Sequence, residues 1–234
     1  MKTVAIMQPY FLPYIGYFAL IKAVDEFVVY DEIEYTKKGW INRNRILSNG
    51  KPLTFSIPLK KDFNYLHVNK RFLSSDAGKF KIKLMRQVDN YYKKAPYFAE
   101  GKKLLEDCLM CESENLFDFI FKSIQKVNEY LGIETKITIS SSLNFNNDLK
   151  SQDKVIDIIQ ATEADCYINP IGGVELYNKD VFKNHNIALN FQKMNLKEYK
   201  QFDHDFVAGL SILDLVMFNS VSDINAMLED MTLL

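Results

Sequence analysis

The chain has 234 residues, 29 of them basic and 30 acidic, for a formal net charge of −1. So even a balance, with no long run of like charge, leaves no electrostatic footprint for nucleic acid or for a polybasic membrane contact. Three cysteines make no disulfide framework, MKTVAIMQPY is too short in its apolar run for a signal peptide, and nowhere do roughly 18 apolar residues follow one another. The expectation is a cytoplasmic protein whose core needs no staples.

TVAIM (3–7) is short and β-branched, and Pro9 stops its pleat, so it reads as a buried strand. Behind it, QPYFLPYIGYF sets five aromatic rings and two prolines in eleven residues. From Ile15 apolar residues recur every three or four positions, a helix, and FVVY (27–30) is the next strand. INRNRIL and LTFSIPL flank Asn49-Gly50, a strong hairpin signal because a type I′ turn needs positive φ at both central residues. LHVNKRF (66–72) is expected as a third strand of that antiparallel piece. Residues 76–132 read as about three helices, broken near Pro96 and near Ser113-Glu114 and capped by Gly132. Cys108 and Cys111 fall within this helical stretch and read as packed thiols, not zinc ligands.

Strand and helix then alternate: TKITIS (135–140), a helix from Ser151 that buries VIDII, DCYIN (165–169), a helix around 176–183, and IALNF (187–191). That rhythm predicts a parallel sheet. LSILDLVMFNSVSDINAML supplies two closing helices. The fold expected is α/β, a Rossmann-like parallel five-stranded sheet in a single domain, 1–234. Its core is 1–31 and 133–234, and the insertion 32–132 holds a hairpin (about 41–72) and a helical subdomain (about 76–132).

In open parallel sheets ligands bind outside the carboxyl ends of the strands, and there the unusual residues gather. Gln8, Tyr10, Tyr14 and Tyr17 follow the first strand, with phenols that need partners if buried; core packing beneath a long loop is the alternative. After the second strand come Glu32, Lys37 and KKGWINRNR. If that stretch is extended, Trp40, Asn42 and Asn44 share one face and Ile41, Arg43 and Arg45 the other. Arginine forks pair bidentately with carboxylate or phosphate, and a Trp stacks on a sugar or base. The alternative pairs Arg43 and Arg45 with Asp31, Glu32 or Glu34. After the fourth strand, NPIGGVELY offers Asn169, Tyr177 and the pair Gly172-Gly173, which either frees helix N-terminal amides for an anion or permits tight packing. Gln8, Tyr14, Asn42, Arg43 and Asn169 are expected to converge on one cleft. No P-loop, GxGxxG or HExxH and no metal-ligand pattern is present.

Five segments, IMQPYFLPYIGYF, YTKKGWINRNRI with LTFSIPL, NYYKKAPYF, ADCYINPIGGVELY and LSILDLVMFN, occur in order, and through them the chain resembles the WbqC-like proteins. That resemblance implies bacterial O-antigen or other surface-polysaccharide biosynthesis and a suggested glycine (aminoacyl) transfer to an amino sugar. YIGY (14–17) also resembles the HxGH loop of nucleotidylyltransferases and pantothenate synthetase (the HUP fold), but with tyrosine at both histidine positions. Tyrosine donates one hydrogen bond and carries no positive charge, so ATP with Mg would need its charge from Arg43, Arg45 or Lys37.

The leading expectation is amide formation between an amino-acid donor, plausibly glycine, and the amine of a nucleotide-linked amino sugar. Arg43, Arg45 and the Gly172-Gly173 amides would stabilise developing negative charge, and Glu32 or Glu34 would take the amine proton. The alternatives are nucleotidyl transfer to a sugar or lipid phosphate and a non-catalytic sugar-nucleotide-binding or assembly role.

Overall fold

The computed structural model describes residues 1–63 and 65–234. β1 (Thr3–Met7) and β2 (Glu26–Val29) bracket α1 (Ile15–Lys22). The hairpin β3 (Arg43–Ser48) and β4 (Lys51–Ser56) follows, and then α2 (Ala77–Tyr92), α3 (Phe98–Leu109) and α4 (Leu116–Leu131). β5 (Lys136–Ile139), α5 (Ser151–Ala161), β6 (Cys166–Pro170), α6 (Lys179–Asn184) and β7 (Ala188–Met194) alternate, and α7 (Ile212–Phe218), α8 (Val221–Glu229) and β8 (Met231–Leu233) complete the described elements.

The central sheet has the order β5-β2-β1-β6-β7-β8. Its first five strands run parallel and β8 pairs antiparallel with β7. Successive residues feed opposite faces, as the two-residue strand period demands. Ala5, Phe27 and Val29 join the larger core with α1, α4 and α7, whereas Val4, Ile6 and Val28 join the smaller one with α5 and α6. Crossovers on one face carry the chain outward from β1, and those on the other carry it from β6 to β7. The direction of winding therefore changes between β1 and β6, where such sheets open a crevice at their carboxyl ends.

The expectation of five strands is corrected to six. β8 is three residues behind a helix, too short to show a period in sequence. LHVNKRF is not a strand: Val68–Lys70 is a turn of 3-10 helix flanked by single bridges at His67 and Phe72. Asp31 causes this, since its carbonyl accepts from the Asn69 backbone (3.1 Å) and its carboxylate from the Asn69 side chain (2.8 Å), curling the chain inward. The Asn49-Gly50 turn forms as expected, with φ of 49° and 74°, and α4 ends on Gly132 at φ 67°.

Beneath the sheet's amino edge, Glu26 is buried among Lys2 (2.7 Å), Lys136 (2.9 Å) and the Thr138 hydroxyl. Burial alone would raise its pKa, but hydrogen bonds from Lys2, Thr138 and Lys136 outweigh that and hold the carboxyl down at about 2. Among the described residues, no helix is long and apolar enough to cross a membrane.

Candidate functional site

The aromatic-proline loop after β1 is clasped from two sides. Asn44 donates its side-chain amide to the carbonyls of Leu12 (2.6 Å) and Phe11 (3.3 Å), and Phe11 N–H reaches the Ile41 carbonyl (3.0 Å). From the other side, the Ser211 hydroxyl donates to the Leu12 carbonyl (2.8 Å), and Ile212 N–H donates to Pro13 (2.8 Å). Leu12 is thereby held at φ 46°, a left-handed conformation that costs a branched residue about 1–2 kcal/mol. Surrounding structure must over-determine such a residue, and strain of this kind clusters at functional sites.

Against this loop lies a hollow of about 380 Å³, lined by Met7, Tyr10, Pro13, Tyr14, Trp40, Asn44, Arg45 and Gly209. The Trp40 ring, 43 % exposed, carries two guanidinium groups, with Arg43 at 5.0 Å and Arg45 at 5.1 Å from its centroid. Arg43 also donates to the Lys38 carbonyl, and Arg45 to the Gly209 carbonyl at 3.0 Å. Neither makes an ion pair with a described carboxylate, and the Nε of each is buried without a partner. Asp31, the first carboxylate weighed as their partner, is consumed by Ser140, Ser141 and Asn69. Two cations thus share one indole with no counter-charge among the described residues.

Gln8 touches this site through its amide, which donates to the hydroxyl of Tyr10, one of the lining residues. Burial pushes the Tyr10 phenol up to about 12, so it stays a neutral donor. Tyr14 forms a wall, its ring folded back over Gly16, where a Cβ would fall inside the tyrosine's van der Waals shell.

Other expected site residues are not in the lining of this hollow. Residues 37–42 form turns, not extended chain, so Trp40 swings to the arginines' side, away from Asn42. Asn42 is buried, donating to the Ile57 carbonyl (2.8 Å) and accepting from the Tyr35 hydroxyl (2.9 Å). Tyr17 is sealed in the core with its hydroxyl on the Gln8 carbonyl (3.2 Å), and burial raises its pKa far above the usual range. Glu32 and Lys37 do not line the hollow.

Asn169 accepts from Tyr167 (2.9 Å) and donates to the Pro170 carbonyl (2.9 Å). Gly172 and Gly173 lie in a short 3-10 helix, Ile171–Leu176, in place of the α-helical N-terminus anticipated, and Gly173 makes room for the Asn169 amide. Tyr177 packs against Tyr167 and Phe182. Of the residues anticipated to converge, Gln8, Tyr14, Asn42, Arg43 and Asn169, Tyr14 lines the hollow, Arg43 sits on its Trp40 and Gln8 bonds its Tyr10.

Sequence reasoning missed Ser211, Gly209 and Asp214. Asp214 is fully buried and accepts from Tyr199 (2.5 Å), Tyr92 (2.6 Å) and Gln201 (2.7 Å). Burial raises its pKa against those three hydrogen bonds. Tyr92 in turn accepts from Leu47 N–H (2.6 Å), and Ser211 N–H donates to the Arg45 carbonyl (2.9 Å). One carboxylate therefore ties β3, α2 and the 199–209 strap into the frame that presents Arg45. The signal was an acid inside LSILDLVMFN, a helix apolar all round, where a carboxylate must be buried with partners.

Among the described residues, no three His, Cys, Asp or Glu side chains gather as a metal site. No solved structure matches the chain. The uncharacterized protein Rv1507c of Mycobacterium tuberculosis (strain ATCC 25618 / H37Rv) is 29 % identical over 221 residues, which span 94 % of each chain. The model of the WbqC-like protein family matches residues 8–226, which takes in the clasped loop, both arginines and the Asp214 anchor, and the chain belongs to that family.

Proposed function

We propose that this protein is an aminoacyl transferase of surface-polysaccharide biosynthesis, moving a preactivated amino acid, glycine in the simplest case, to the amine of a nucleotide-linked amino sugar. Family membership supports the pathway. The observation that carries a ligand site is the pair of guanidiniums on Trp40 with no carboxylate partner. They suit a phosphate of the sugar nucleotide or of the donor, and the aromatic hollow suits the groups that phosphate carries. The strand order and the reversal between β1 and β6 support a Rossmann-like sheet of the HUP kind, in one domain whose 32–132 insertion supplies the arginines.

The loop where HxGH would stand brings no cation of its own, so phosphate charge there falls to Arg43 and Arg45. The Tyr17 phenol is spent on a buried carbonyl and the Tyr14 ring lies over Gly16. In the reading proposed here the carboxyl arrives already activated. The neutral amine attacks the acyl carbon to give a tetrahedral oxyanion, which collapses to the amide as the C–S or C–O bond to the donor breaks, and the amine proton ends on the departing thiolate or alkoxide. Nucleotidyl transfer would draw on the same arginines and is told apart by pyrophosphate release that does not depend on an acyl donor.

A second reading, a non-catalytic sugar-nucleotide-binding role, is favoured by one observation: apart from tyrosines and Arg45, no titratable side chain lines the hollow. Mass spectrometry of a nucleotide-linked amino sugar incubated with glycyl thioesters separates the two. Addition of one glycyl group, lost in Arg45→Met, is the expected result; tight sugar-nucleotide binding without acyl transfer from any donor would establish the second reading.

A further inference from the structure

The arginine hollow has a neighbour. An inner slot is lined by Ile15, Met194, Phe206, Leu210, Leu215 and Met227 among others, and Tyr14 and Gly209 belong to the linings of both cavities. With Tyr14 in place the slot encloses only about 20 Å³, room for one water. Most of its wall is apolar, with Ile15, Leu210 and Leu215 from the core, and Asn195, Lys197 and Tyr199 also belong to the lining.

The partition between the cavities is weakly held. Tyr14 is 38 % exposed, and its hydroxyl makes no hydrogen bond with any described residue. Its ring rests on Gly16, which offers no side chain to pack against. Rings at exposed positions change rotamer in picoseconds to nanoseconds, and no described hydrogen bond of its hydroxyl holds Tyr14 against a swing toward solvent. Such a swing joins the two spaces into one, cationic at Arg43 and Arg45 and apolar at Met194, Leu215 and Met227.

We infer that this joined cavity binds an anion bearing a linear apolar chain, the charged head on the arginines and the chain displacing Tyr14 to enter the inner slot. The inference rests on the anion site described under the proposed function and deepens it by naming the ligand's other end. Two sources supply that chemistry: an acyl-thioester arm that carries a phosphate, and a lipid phosphate. Their shared features, a phosphate and a flexible apolar chain, are what the cavity reads.

Calorimetric titration of the whole chain with inorganic phosphate and with butyl, hexyl and octyl phosphate below their micelle concentrations tests this. Each methylene that enters the slot should tighten binding about fourfold, until the slot is filled and the gain stops. Arg45→Met should weaken every member of the series alike, while Met227→Trp, which fills the slot, should abolish the gain with chain length. Octyl glucoside, with a tail and no charge, should bind far more weakly than octyl phosphate. S-octanoyl phosphopantetheine binding more tightly than octyl phosphate would assign the thioester source, and the reverse the lipid source.

Arg45-dependent binding of phosphate with no gain from butyl to octyl would overturn the chain inference and leave the anion site standing. A chain-length gain that survives Met227→Trp would place the tail elsewhere and also overturn it. Absence of binding by every phosphate would defeat the anion site itself.

Discussion

Two rim loops of the sheet, one after β1 and one after β6, look alike in sequence, each rich in aromatic rings, amides and glycine. Their fates differ. After β6, Asn169 has its partners in Tyr167 and the Pro170 carbonyl, and Gly173 exists to let that amide in. After β1, the backbone is equally well held, yet the arginines that face the loop keep Nε atoms with no partner, and a hollow remains. Polar groups whose hydrogen bonds close within the chain are architecture, whereas half-buried guanidiniums whose Nε atoms find no partner among the described residues call for a ligand to supply one.

The same contrast holds within two consecutive residues. Asn44 spends its amide on the Phe11 and Leu12 carbonyls, while Arg45 extends past them to Trp40. The variants below are ordered by expected effect on stability, and each can break the comparison. Asp214→Ala should cost most, about 4 kcal/mol, because Tyr92, Tyr199 and Gln201 all lose one buried acceptor; that is a fall of roughly 10 °C in Tm by calorimetry. A near-neutral result would mean that the strap is not anchored there.

Glu26→Gln should follow, at about 2 kcal/mol near neutral pH. Its pH signature is more specific. The folded carboxyl titrates at about 2 against an ordinary 4.5, so its stabilisation is complete above about 4.5 and is lost as pH falls toward 2. Urea midpoints measured down through that window should fall in the wild type and flatten in the variant; parallel curves would remove Glu26 from the acid response.

Asn169→Ala should cost about 1–2 kcal/mol and leave phosphate affinity within twofold. A tenfold loss of affinity would return the β6 loop to the site. Arg45→Met should change stability least, within about 1 kcal/mol, since the only described hydrogen bond of its side chain is to the Gly209 carbonyl.

Much of the fold was legible because it is written locally. TVAIM, FVVY, the Asn49-Gly50 turn, the three helices before Gly132 and the later strand-helix alternation each carry their signal within about ten residues. The 3-10 turn at Val68–Lys70 was not legible, because Asp31, 38 positions before Asn69, imposes it. Within the site, Tyr10, Tyr14, Trp40, Asn44 and Arg45 could be picked by residue type, and the hollow's wall at Gly209 could not. Asn42 and Tyr17 were indistinguishable from ligand readers until their partners, Ile57, Tyr35 and the Gln8 carbonyl, were visible. Sequence shows which residues are costly to bury, and only the three-dimensional arrangement shows which of them the chain has already satisfied.

The most direct test of the central claim, that Arg43, Arg45 and Trp40 hold an external anion, is calorimetric titration with pyrophosphate of the wild type, Arg45→Met and Asn169→Ala side by side. Saturable binding in the wild type and in Asn169→Ala, weakened at least about tenfold in Arg45→Met for the loss of a charge-assisted hydrogen bond, is the predicted result. Equal affinity in all three proteins, or loss in Asn169→Ala with Arg45→Met unaffected, would contradict it.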